Sequence, residues 1–166
     1  MTEHSAASLL EKMSERGYFL AIAESLTGGL LTSEFVSIPG ASKVLLGSVT
    51  AYQNSIKQNL LAVPSIVLEN YGAVSAEVAE AMAIGVRAHF AAAAGIPLDQ
   101  VIGIATTGVA GPDAEAGKPI GLVYLGFSLP NLKNLTKKLE LAGTRSEIRQ
   151  NAVRSALSEL GEQIGK

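Results

Sequence analysis

Three segments of the chain group hydroxyl, amine and small residues in ways that could support chemistry: Glu24-Ser25-Leu26-Thr27-Gly28-Gly29, the stretch from Tyr52 to Lys57, and Thr106 to Gly111. In the first, a serine lies where an apolar run gives way to glycines. Its hydroxyl could stand beside the free N–H groups of a helix start, which would stabilise an oxyanion. Thr27, Gly28 and Gly29 complete that turn and are candidate substrate contacts. A serine nucleophile needs a base, and the only histidines are His4, near the terminus, and His89, within a long helical pattern. A Ser-His-Asp triad is therefore disfavoured. A lysine can serve instead when burial or a neighbouring cation lowers its pKa enough to leave a neutral amine, and Lys57 with Tyr52 offers this. Ser25, Tyr52 and Lys57 are the candidate catalytic residues. Plain alternatives stay open at each: Ser25 or Thr27 as the cap of the next helix, Lys57 as a solvated helix lysine, Tyr52 as a core aromatic with its hydroxyl at the rim.

The third segment continues as Thr107-Gly108-Val109-Ala110-Gly111-Pro112-Asp113 and offers backbone N–H groups and hydroxyls, which a phosphate or ribose needs from a short loop. Thr107, Gly108, Ala110 and Gly111 are candidate binding residues, although a tight connection between adjacent strands would carry the same pattern. No P-loop or dinucleotide fingerprint is present. Arg145 falls in the first turn of the last predicted helix, where the helix dipole disfavours a cation unless an anion approaches. It is a candidate phosphate contact, or else a surface arginine. With no His-x-x-x-His, paired aspartates or cysteines, no metal and no cofactor is expected.

Those residues must be held by the elements around them. Leu9, Leu10 and Met13 recur at helical spacing between a capping Ser5 and Gly17. Tyr18 to Ala23 reads as a buried strand, and Leu30, Leu31 and Phe35 as a helix broken by Pro39-Gly40. Val44 to Tyr52 reads as a strand, followed by a short helix capped by Asn54 or Ser55, bearing Ile56, Lys57, Leu60 and Leu61 and ending before Pro64. Val78, Met82, Val86 and Phe90 make a long helix from Ser75, closed by Gly95 and Pro97. Strands follow at Val101 to Ala105 and Leu122 to Phe127, with Thr107 to Pro119 as the loop between them. An edge strand carries Leu135, Leu139 and Leu141, with Lys137 and Lys138 facing solvent. Thr144-Arg145-Ser146-Glu147 is a capping box opening a helix through Val153, Leu157, Leu160 and Ile164. This alternation predicts a layered α/β sandwich with a mostly parallel, mixed sheet whose last two strands pair antiparallel.

A chain of 166 residues with 48% hydrophobic and 17% charged residues suits a single domain, 1–166, with its own core. The absence of cysteine excludes thiol catalysis and disulfides and fits a reducing compartment, so a cytoplasmic location is expected. Thr2, Glu3 and His4 do not open a signal peptide. The most apolar stretch, Val78 to Ala94, contains Glu80, Arg87 and His89 and is no membrane span. A net charge of -2 with no basic block argues against nucleic acid as a partner.

Taken together, Ala23-Glu24-Ser25-Leu26-Thr27-Gly28-Gly29, Val49-Thr50-Ala51-Tyr52-Gln53-Asn54 leading to Lys57, and Gly72-Ala73-Val74-Ser75 resemble the C-terminal domain family of CinA (competence/damage-inducible) proteins. Thr107-Gly108-Val109-Ala110-Gly111-Pro112, Lys118-Pro119-Ile120-Gly121 and Gly143-Thr144-Arg145 extend that resemblance over nearly the whole chain. It implies a three-layer α/β/α sandwich, commonly dimeric, and metal-free hydrolysis of nicotinamide mononucleotide, a small-molecule nucleotide, to nicotinic acid mononucleotide and ammonia in pyridine nucleotide recycling. Ser25 would attack, Lys57 would accept its proton and Tyr52 would support the transfer, while Thr107 to Gly111 and Arg145 would contact the nucleotide. Two departures bear on affinity: Asp113-Ala114-Glu115-Ala116-Gly117 stands where the family often has a glycine pair, and Thr144 where aspartate is common. The large N-terminal domain of full-length CinA proteins, associated with pyrophosphatase activity, is not expected in a chain of this length. Two alternatives remain, a nucleotide-binding module without catalysis and a serine amidase for another small amide. A Ser25 hydroxyl within about 2.6 to 3.2 Å of the Lys57 amine separates catalysis from binding.

Overall fold

The computed structural model describes residues 5–131 and 133–165, so His4 and the first residues, on which the expected lack of a signal peptide rested, lie outside them. The elements run α1 (Ala6–Glu15), β1 (Phe19–Glu24), α2 (Leu30–Val36), β2 (Leu45–Thr50), α3 (Asn54–Leu61), α4 (Ser65–Tyr71), α5 (Ala76–Ala94), β3 (Val101–Gly108), β4 (Leu122–Ser128), β5 (Leu135–Glu140) and α6 (Arg145–Ile164). Sheet order is β2-β1-β3-β4-β5. β1 pairs parallel with β2 and β3, while β3–β4 and β4–β5 are antiparallel. The sheet is therefore mixed, with its parallel half centred on β1.

Alternation along the strands sorts side chains by size between the two faces. Leu20 and Ile22 of β1, Ile102 and Ile104 of β3 and Leu125 and Phe127 of β4 pack against α1, α2 and α6. The opposite face presents Ala21, Ala23 and Ala105 to α3, α4 and α5, making the third layer. Small residues are required there because α5 lies almost on the backbone of the sheet. A Cβ added at Gly103 would stand 2.2 Å from the Ala83 carbonyl, and one at Gly126 would stand 2.1 Å from that of Ala79. Among the described residues no helix is long and apolar enough to cross a membrane.

The caps at Ser5 and Thr144 form as the sequence predicts, the latter with its reciprocal Glu147, and Ser75 caps α5 by accepting from the Val78 amide. Several details differ. Gln53 precedes α3 without any side-chain cap, in place of Asn54 or Ser55. α3 ends at Leu61 with Ala62 as its left-handed C-cap, and Pro64 is the N-cap of α4, a helix that the sequence does not predict. β3 extends to Gly108, so Thr107 and Gly108 belong to the sheet and not to the loop. Lys137 and Lys138 do not share a face of the sheet, since neighbours on a strand point opposite ways: Lys137 reaches the buried Glu159 of α6, whereas Lys138 bonds the exposed Glu140.

Candidate active site

β1 ends between its two parallel neighbours, β2 and β3, and the chain continues its pairing one residue further, with the Ser25 amide donating to the Thr106 carbonyl at 2.9 Å. This places Ser25 at the carboxyl end of the parallel strands, where crevices form in α/β sheets. Lys57 is brought there by α3. That helix seats tightly on α5 because residue 85 is glycine: a Cβ there would stand 1.8 Å from the Leu61 carbonyl. The Lys57 amine lies 3.3 Å from Ser25 Oγ and 3.2 Å from the Tyr52 carbonyl, to both of which it donates. This is just beyond the range that favours catalysis and well inside one water's reach, and catalytic contacts of this kind tighten when substrate binds. Lys57 is 1% exposed. Burial lowers its pKa from the ordinary lysine value, because a charged amine loses its hydration there, and the Glu115 carboxylate opposes the shift. The arrangement supplies a hydroxyl next to an amine biased toward its neutral form.

A cavity of about 280 Å³ opens over this pair, lined by Ser25, Leu26, Tyr52, Lys57, Thr107, Gly108, Ala110, Gly111 and Arg145, and by Asp113 and Glu115. Arg145 spans its mouth, donating to the Gly111 carbonyl and, at 3.3 Å, to the Tyr52 hydroxyl. Neither ion pair found among the described residues involves Arg145, so no carboxylate of those residues lies within bonding reach of its charge. Thr107 Oγ1 donates to the Ala73 carbonyl at 2.7 Å, which holds the end of β3 against the connection between α4 and α5. A larger groove of about 610 Å³ between α1, α2 and α6 contains none of these residues.

The structure redistributes some of the roles read from sequence. Tyr52 meets Lys57 through its backbone carbonyl, and its ring is 59% exposed with the hydroxyl at Arg145, so the phenol does not stand beside the amine. Thr27, Gly28 and Gly29 do not line the cavity. Thr27 is fully buried with its hydroxyl 2.8 Å from that of Thr106, and the Gly29 amide is bound to the Glu24 carboxylate at 2.9 Å. Glu24 also accepts from the amides of Leu31 and Thr32, at 3.1 and 2.8 Å, and from the Thr32 hydroxyl. The N-terminus of α2 is therefore capped by a carboxylate from β1. Ser25 and Thr27 are not its caps, and the amides of Gly29, Leu31 and Thr32 are committed to Glu24 and not to an oxyanion. His89 stacks edge-on against Phe90, with ring centres 5.5 Å apart, and is not among the residues lining the cavity.

Residues 2–164 match the family model described as the CinA C-terminal domain. A relative in Clostridium kluyveri that bears the competence-damage inducible description is 45% identical over 152 residues, covering 90% of this chain and 35% of its own. A CinA-like protein of Prochlorococcus marinus is 39% identical over 159 residues, covering 94% and 35%. The chain thus spans about a third of the length of these curated relatives. The crystal structure of competence/damage inducible protein CihA from Agrobacterium tumefaciens superposes with a TM-score of 0.84 at 31% identity, covering 97% of this chain and 93% of that one.

Proposed function

The chain belongs to the CinA C-terminal domain family, and from that premise and the geometry of its pocket we propose that it is an amidohydrolase converting nicotinamide mononucleotide to nicotinic acid mononucleotide and ammonia. The observation that carries this reading is the buried Lys57 amine 3.3 Å from Ser25 Oγ. A lysine buried without a carboxylate in contact is costly to keep charged, and the same burial favours the neutral amine that a general base requires.

In the proposed reaction Ser25 Oγ bonds to the carboxamide carbon while its proton passes to Lys57. The tetrahedral adduct then collapses, the C–N bond breaks, and Lys57 returns the proton to the departing nitrogen, which leaves as ammonia. A water molecule, deprotonated by Lys57, attacks the resulting ester, and the serine oxygen leaves and recovers its proton. The balance is amide plus water giving acid plus ammonia. Tyr52 contributes its carbonyl, which orients the amine toward Ser25, and Arg145 at the mouth supplies an uncompensated cation for the phosphate.

A second reading, a serine amidase for a different small amide, draws support from Asp113 and Glu115, whose carboxylates line the same cavity and repel a phosphate. Ammonia release from nicotinamide mononucleotide, nicotinamide riboside and unrelated primary amides separates the two. The proposal expects the highest kcat/KM for the mononucleotide. Equal or better turnover of the riboside would move the assignment to the second reading.

A further inference from the structure

Arg149 lies one turn into α6 and belongs to none of the motifs that point to the site. Its guanidinium reaches across to the turn that follows Ser25, where Nε donates to the Leu26 carbonyl at 2.9 Å and Nη2 to the Thr27 carbonyl at 2.7 Å. Gly28 lies close over it: a Cβ there would stand 3.4 Å from Nη2. Neither ion pair found among the described residues involves Arg149. Its planar fork is thus spent on two successive carbonyl dipoles, an arrangement that fixes both peptide planes at once.

The same turn is held from its other side by Glu24, which takes the amides of Gly29, Leu31 and Thr32. A cation on α6 therefore grips the carbonyls immediately after Ser25, and an anion immediately before Ser25 grips the amides further on. A trans peptide directs its N–H opposite to its carbonyl, so the Thr27 and Gly28 amides are turned away from α6. Leu26, whose carbonyl is the first one held, lines the cavity beside Ser25. Arg149 itself is not among the residues lining that cavity.

We propose that Arg149 is a positioning residue for Ser25: by holding the Leu26 and Thr27 carbonyls it sets the turn that presents the serine hydroxyl to the Lys57 amine. The proposal rests on the Ser25–Lys57 hydrolase reading, though not on the identity of the amide. Loss of this grip lets the nucleophile drift, and a misplacement near 1 Å costs about 100-fold in rate. The effect falls on kcat and leaves KM nearly unchanged, because substrate does not touch Arg149. A lysine in its place would retain a charge but not the fork, so R149K recovers only part of the rate, whereas added guanidinium restores R149A.

The test uses a fluorophosphonate probe, which Ser25 Oγ attacks at phosphorus to form an O–P bond with loss of fluoride and the serine proton. Its labelling rate reads the serine without reference to any amide. Wild type should label at Ser25, S25A should not, and R149A should label about 100-fold more slowly. R154A, which loses a surface contact to Asn151 on the same helix, should label at the wild-type rate. If R149A unfolds, R149K is compared in its place and should still label more slowly than wild type. Labelling of the folded Arg149 variant at the wild-type rate would overturn the proposal and leave Arg149 as a brace between α6 and the turn. Labelling of wild type without ammonia release from nicotinamide mononucleotide would fail the substrate assignment alone.

Discussion

The pocket has an inner end and an outer end built on opposite terms. At the inner end, Ser25 and Lys57 are 9% and 1% exposed, fixed by a central strand, by the seating of α3 on α5 and by hydrogen bonds to backbone. At the outer end, Arg145, Asp113 and Glu115 stand on exposed segments, and the cation is held by a carbonyl and a phenol. Buried charges cost several kcal/mol unless neutralised, whereas exposed ones exchange protein for water at little cost. The inner end can therefore shift a pKa and commit to one chemistry. The outer end reaches that chemistry only at a distance, through the field of Glu115 on the Lys57 amine, and is where substrate selection belongs.

Breaking the inner end should have the largest consequence. Lys57→Met is expected to lower kcat about 10²- to 10⁴-fold, the usual worth of a general base, with KM little changed. A rise in KM alone would show that the lysine binds substrate. The same variant tests burial through stability. Below both values the amine is charged folded and unfolded. Once pH rises past the lowered folded-state value, the unfolded chain holds the extra proton, and wild-type stability increases with pH until the ordinary lysine value is reached. Lys57→Met should lack that slope in denaturant titrations at successive pH values.

At the outer end, Arg145→Ala should raise KM for nicotinamide mononucleotide about 10- to 100-fold, the worth of a hydrogen-bonded charge contact, and leave kcat near its original value. The variant should treat the riboside as wild type does. The smallest effect links the two ends. Because the Glu115 carboxylate holds the Lys57 amine up, Glu115→Gln should move the acid limb of the kcat/KM profile to lower pH. An unmoved limb would separate Glu115 electrostatically from the base.

How much of this could be read along the chain follows from how local each feature is. The glycine-bearing turn after β1, the Tyr52-to-Lys57 junction and the capping box at Thr144 are short-range patterns, and all three deliver residues to one cavity. Glu24 was legible as a residue but not as a cap, because capping rules look one to three residues ahead, whereas its carboxylate bonds amides five to eight residues on. Arg149 and the Leu26 carbonyl are 123 positions apart, a separation no spacing rule spans. α4 was missed because Pro64 was read only as a stop. The direction of the Tyr52 ring depends on Arg145, 93 positions away, and its residue type alone did not reveal it.

Whether Ser25 is the nucleophile of an amide hydrolysis is decided by ammonia release from nicotinamide mononucleotide, with wild type and Ser25→Ala assayed together. Wild type should turn over and the variant should lose at least about 10³-fold, as other enzymes do that lose a covalent nucleophile. Comparable turnover by both proteins would contradict that role.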